Sequence, residues 1–236
     1  MKLGTGISPA YSHSVPTPSG PQANPDFTKL LLHFDSDFSD SSIHNRTPTL
    51  ISGPIVDTNR KFYGEASMNL PNSSSGLQFP ASPDWNAADA IPWQLSFRMF
   101  SATGRLSVET FMGTSNWVST GWLLHSESSW TVLRLASNSG VRCQWSYVFP
   151  KDIWTAHRVN HDGAGNYRWY VDGVLLGVCV GSGIVDVAGP LYVGRRHTWT
   201  DGITGNLDEL LWEKHPDLVI TTAPTYELET SPYVDP

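Results

Sequence analysis

Four side chains in this 236-residue sequence carry oxygen atoms in positions that suit a metal ion. Asp35 closes an apolar run that starts at Thr28, and Asp40 lies in the polar loop that follows. Asn206 and Asp208 open the last alternating run, which ends at Trp212. If the first and last runs are antiparallel neighbours, Asp35 comes to lie beside Asn206 and Asp208, and Asp40 reaches back from its loop. Clustered carboxylate and carbonyl oxygens of this kind suit Ca²⁺. Asp35 and Asp40 also fit a plainer role, capping turns through side-chain to backbone hydrogen bonds.

A second group suits sugars, which are held by aromatic faces and planar hydrogen-bonding groups. Arg195, His197, Trp199 and Asp201 share one polar loop, and Trp117 follows Asn116 in another. The alternative for the tryptophans is ordinary packing, since most of the ten in the chain must be core. Catalysis is not expected. A retaining glycosidase needs two carboxylates about 5 Å apart. Asp208 and Glu209 are adjacent, so in a regular strand they point to opposite faces, and Glu109 stands alone. No Ser/His/Asp or Cys/His signature is present. His157 and His161 are too far apart along a strand to share a metal. No glycine-rich phosphate loop opens a helix.

The elements that must position these residues read as strands. Tyr167–Val171 and Val174–Leu176 alternate on either side of Asp172-Gly173, the pair that favours a two-residue hairpin turn. Trp93, Leu95, Phe97 and Met99 share one face of another run, as do Val141, Cys143, Trp145 and Tyr147. Trp93, Trp145, Trp169 and Trp212 are the predicted core tryptophans. Asp84–Ala90 has room for one helical turn at most. Many short strands and no long helical period predict an all-β, antiparallel two-sheet β-sandwich of the jelly-roll type. Residues 28–213 form that domain. Residues 1–27, rich in Pro and Ser, and 214–236, where alternation is lost, are predicted as extended arms.

The net charge of −7 argues against a nucleic-acid partner. Cys143 and Cys179 read as two small buried hydrophobes. No apolar run is long enough to insert in a membrane. The N-terminus has no apolar stretch of signal-peptide type, so synthesis in a reducing cytoplasm is expected.

Leu30–Asp35 with Phe38–Ser42, then Tyr63–Met68 and the strand Trp93–Met99, resemble the first half of laminin-G-like, concanavalin A-like jelly-roll domains. Trp154 with His157, Tyr170–Gly173, Leu191–Gly194 and Gly205–Leu210 resemble the second half, in the same order. The resemblance covers about residues 28–213 and extends to such domains in tailed-bacteriophage particles. It implies a structural virion protein, a capsid decoration or a tail or fibre subunit, made in the host cytoplasm. Its partners would be other virion proteins and copies of itself, with the arms making assembly contacts. Calcium near the first and last strands is common in similar domains. The alternative from another class is a module binding host-surface or environmental glycans, and a weaker one is a glycoside hydrolase.

Overall fold

The structure, a computed structural model, describes residues 22–87, 90–102, 109–114, 121–127, 130–135, 142–181, 189–197 and 201–235. Most of the expected N-terminal arm therefore lies outside the described residues. The strands are β1 (Thr28–Leu32), β2 (Thr49–Ile51), β3 (Ile55–Asp57), β4 (Ser67–Leu70) and β5 (Gly76–Phe79). After a 3-10 turn at Pro83–Trp85 come β6 (Trp93–Ser101), β7 (Thr110–Gly113), β8 (Trp122–Glu127), β9 (Trp130–Leu135) and β10 (Arg142–Ser146). The last five are β11 (Trp154–His161), β12 (Asn166–Val171), β13 (Val174–Val180), β14 (Leu191–Val193) and β15 (Gly205–Lys214).

They form two antiparallel sheets packed as a sandwich, as the alternation predicts. One sheet has the order β13-β12-β11-β6-β15-β4-β3, with β1 also paired to β15. The other runs β10-β9-β8-β7-β14-β5-β2. The expected neighbours β1 and β15 are indeed antiparallel, with Leu32 opposite Leu210. The hairpin closes at Asp172-Gly173, where φ is 47° and 79° and Val171 faces Val174.

The core between the sheets is dominated by tryptophan. Trp93, Trp122 and Trp212 stack, with centroids 4.9 Å apart for Trp93–Trp212 and 5.3 Å for Trp122–Trp212. Trp145 and Trp169 meet edge to face at 5.5 Å. All four predicted core tryptophans are buried. His157 is sealed inside against Phe97, and burial, with the Arg98 charge, drops its pKa to about 3.

Two expectations need correction. Cys143 and Cys179 are bonded, Cα to Cα 5.5 Å, rather than free. They belong to β10 and β13, the edge strands of the two sheets, so the bond staples the sandwich shut along one side. Asp208 and Glu209 do not face opposite ways. Glu209 has φ 48°, and the register with β6 slips by one residue between Asp208 and Leu211. This bulge turns both carboxylates outward while Leu207 and Leu210 stay in the core. The C-terminal segment is extended, and it lies against the domain. Residues 216–235 return across the outer face of the eight-stranded sheet as a strap. Leu175 N–H donates to the Pro224 carbonyl and Tyr226 N–H to that of Gly173, both at 2.9 Å. Tyr170 Oη donates toward the Thr221 and Ala223 carbonyls, and Ala23 N–H donates to the Val234 carbonyl.

Candidate functional site

The four metal candidates are spread over two loops. Asp40 is buried, and its Oδ1 accepts from Leu31 N–H at 3.1 Å and Ser42 N–H at 2.9 Å. Its Oδ2 accepts from Arg46 N–H. Asp35 Oδ1 accepts from the backbone of Glu65 and Ala66. Gly64, at φ 58°, lies against that carboxylate, and a Cβ there would sit 2.0 Å from the oxygen. Asp208 Oδ2 accepts from Phe62 N–H at 2.7 Å and Tyr63 N–H at 3.0 Å. Burial pushes the Asp208 carboxyl up to about 7, against the pull of those two donors. Asn206 donates to Asp57 and Ser67 and accepts from Arg60. Asp35, Asn206 and Asp208 thus brace the segment 57–66, and Asp40 braces 41–46. Among the described residues no three His, Cys, Asp or Glu side chains stand at metal-binding spacing.

Of the sugar candidates, Trp117 and Trp199 lie outside the described residues. Arg195 is buried and donates to the carbonyls of Ser74 (2.7 Å), Arg196 (3.0 Å) and His197 (3.4 Å), so it organises the 72–76 turn. Asp201 pairs with Arg196 at 2.5 Å. His197 is exposed and meets the Tyr192 ring edge-on.

A cleft that sequence reasoning missed opens at the other end of β15. It holds about 310 Å³ and is lined by Lys29, Asp84, Asn86, Ile91, Lys214 and His215, with Pro83 and Pro216. The His215 ring stacks on Phe27, centroids 4.4 Å apart. One wall is the segment 80–87, and the core holds it there. The indole N–H groups of Trp85, Trp93, Trp122 and Trp212 donate to the carbonyls of Pro80, Ala87, Trp85 and Asp84 respectively. Lys214 Nζ adds a bond to the Asn86 carbonyl at 2.7 Å. Arg46 pairs with Asp84 and lies over the Trp85 ring at 4.5 Å. The signal was in the sequence as Ser82-Pro83-Asp84, an N-cap followed by proline at the first helical position. An imidazole ring, the Lys29 ammonium and a planar amide around a rigid recess suit a small polar ligand.

The strap covers a second polar region. Arg98 Nη2 lies 2.9 Å from Glu229 Oε2, and Arg158 Nη2 pairs with Oε1 of the same carboxylate. Burial favours the neutral Glu229 acid, but Arg158 and Arg98 hold its pKa below the usual range. At the far end of the strap, His33 bridges Glu209 and Asp235, 2.9 Å to each. A further cleft of about 310 Å³ opens there beside Asp35 and Tyr233.

No protein-family model and no curated protein matches the sequence. Solved structures do share the fold. The binding domain of botulinum neurotoxin DC in complex with rat synaptotagmin II is 12% identical, with TM-score 0.62 over 81% of this chain and 49% of that one. The binding domain of Paraclostridial Mosquitocidal Protein 1 is 13% identical, TM-score 0.64, over 80% and 49%. Domain 4 of AbnA, a GH43 extracellular arabinanase from Geobacillus stearothermophilus, in complex with arabinotriose, is 16% identical, TM-score 0.62, over 80% and 92%. The chain spans about half the length of the toxin binding domains it matches and nearly all of the arabinanase domain. At these identities the likeness establishes a β-sandwich shared with binding domains.

Proposed function

We propose that this chain is a non-catalytic β-sandwich that binds glycans, and that the cleft at Lys29, Asn86 and His215 is the binding surface. The observation that carries the reading is the cleft's construction. Its wall is fixed by four indole N–H groups, so little ordering entropy is lost when a ligand enters. His215, backed by Phe27, places an imidazole ring in the cleft beside the amide and ammonium groups that sugar hydroxyls use. Structures of similar fold carrying arabinotriose or a sialylated ligand support the same class. A glycan array probed with the full chain tests it. Signal on a defined oligosaccharide is expected, falling at least tenfold in Lys29→Met; a silent array rejects the reading.

A finer reading places this module on a tailed-bacteriophage virion, as a capsid decoration or tail-associated subunit among other virion proteins. The order of the laminin-G-like motifs supports it. The Cys143–Cys179 bond favours a working environment more oxidising than cytoplasm, as a released particle meets. Imaging of native particles that lack this chain would reject it.

A further inference from the structure

β6 and β11 lie side by side and turn Ser96, Arg98, Arg158 and Asn160 toward the strap. Arg98 is 1% exposed, yet its Nε and Nη1 find no partner among the described residues. Asn160 is 0% exposed, and neither amide atom has a partner there. Each buried polar group left in this state costs about 1–3 kcal/mol. Glu229 supplies one carboxylate, split between two guanidinium groups, so neither arginine makes the two parallel bonds its fork is built for. The strap is therefore a partial fit to the surface it covers. Its approach is also exposed, with Val219 at 90%.

We infer that this outer face is a binding site for a carboxylate-bearing saccharide, and that Glu229 of the strap occupies it in the resting chain. The ligand carboxylate takes the place of the Glu229 carboxylate between Arg98 and Arg158. Asn160 offers a donor and an acceptor side by side, the match for neighbouring sugar hydroxyls. Phe62 and Tyr63, which do not belong to the strap, present ring faces 5.4 and 5.8 Å from the Arg98 guanidinium and stay when the strap leaves. Aromatic face, planar amide and paired guanidinium groups form a saccharide lining more than a peptide groove. Because the strap competes in cis, apparent affinity is reduced by the fraction of chains that are open. This site is distinct from the cleft at Lys29, Asn86 and His215, and either can fail without the other.

The test is isothermal titration of 3′-sialyllactose and of neutral lactose into the full chain, Glu229→Ala and Glu229→Gln. Sialyllactose is expected to bind at least tenfold more tightly to both variants than to the parent, lactose to remain unchanged, and Arg158→Leu added to Glu229→Ala to abolish the gain. Lys29→Met added to Glu229→Ala should leave the gain intact, which separates this site from the cleft. An unchanged sialyllactose affinity in variants with parent-like near-UV circular dichroism overturns the inference. So does an equal gain for lactose, which would mark general loosening. Binding of a synthetic 223–235 peptide by Glu229→Ala without binding of sialyllactose would also overturn it, by making the face a peptide site.

Discussion

Two regions of this molecule hold polar groups in place, and they do it by opposite means. The cleft wall at 80–87 is fixed from inside, by tryptophans whose rings fill the core and whose N–H groups end on its carbonyls. The outer face of the eight-stranded sheet is fixed from outside, by a segment that arrives last in the chain and is held by ion pairs and a small apolar cluster of Ala23, Leu31, Leu211 and Tyr233. The first arrangement couples site geometry to global stability. The second can be undone locally, because breaking the strap contacts leaves the sandwich closed by its disulfide and its core.

Trp212→Ala breaks the inner arrangement and has the largest expected effect. It removes a ring stacked between Trp93 and Trp122 and the donor to Asp84. A core Trp→Ala change costs about 3–5 kcal/mol. For a chain of this size, that lowers Tm on the order of 10 °C. Thermal unfolding followed by circular dichroism checks it, and one cooperative transition is expected. A loss of under about 1 kcal/mol would show that the stack does not carry the wall.

Arg98→Met addresses the outer arrangement and is expected to do less. Glu229 keeps Arg158, and the methionine stem replaces much of the buried packing. Loss of the Glu229 pair outweighs the relief of the two unpartnered Arg98 N–H groups, and the expected net loss is about 2 kcal/mol. Hydrogen exchange should show it as faster exchange at Tyr226 and Tyr233, with β6 and β11 amides little changed. Equal acceleration throughout would mean that strap and sandwich open together, and the contrast between the two regions would disappear.

Much of the inner region was legible in the sequence. The alternation of Trp93, Leu95, Phe97 and Met99 names the buried face directly, and Asp172-Gly173 names the hairpin, because both are signals carried by neighbouring residues. The strap was not legible. Its key contact joins Glu229 to Arg98, 131 positions away, and its extended backbone has no period to detect. The available clues were an arginine on the outward side of a well-patterned strand and two tyrosines flanking a pair of glutamates in a proline-rich tail. The bulge at Asp208-Glu209 was hidden for a related reason. A non-glycine residue at positive φ leaves no mark on composition, yet it decides which way two carboxylates point. The disulfide is not legible in the sequence, because each cysteine sits in its own alternating run and the bond depends on two sheet edges meeting.

The smallest expected effect is a pH dependence at the end of the strap. Burial alone lowers the His33 pKa, but the hydrogen bonds and charges of Glu209 and Asp235 raise it to about 9. A histidine raised in the folded state contributes stability that is complete below its unfolded value of 6.5 and disappears as pH climbs through about 9. Asp208 and Glu109, both pushed up to about 7 by burial, also favour the folded state when protonated. Their contribution, however, is lost below the upper half of that window. The stability difference between the parent and His33→Gln should therefore shrink between pH 7 and pH 9.5, when followed by urea unfolding at each pH. Asp235 is largely exposed, so solvent screens its share and the change should be about 1 kcal/mol. A difference that stays constant across the window would mean that His33 is neutral throughout and donates its single N–H to only one of the two carboxylates, and the strap would then have no charge-dependent latch.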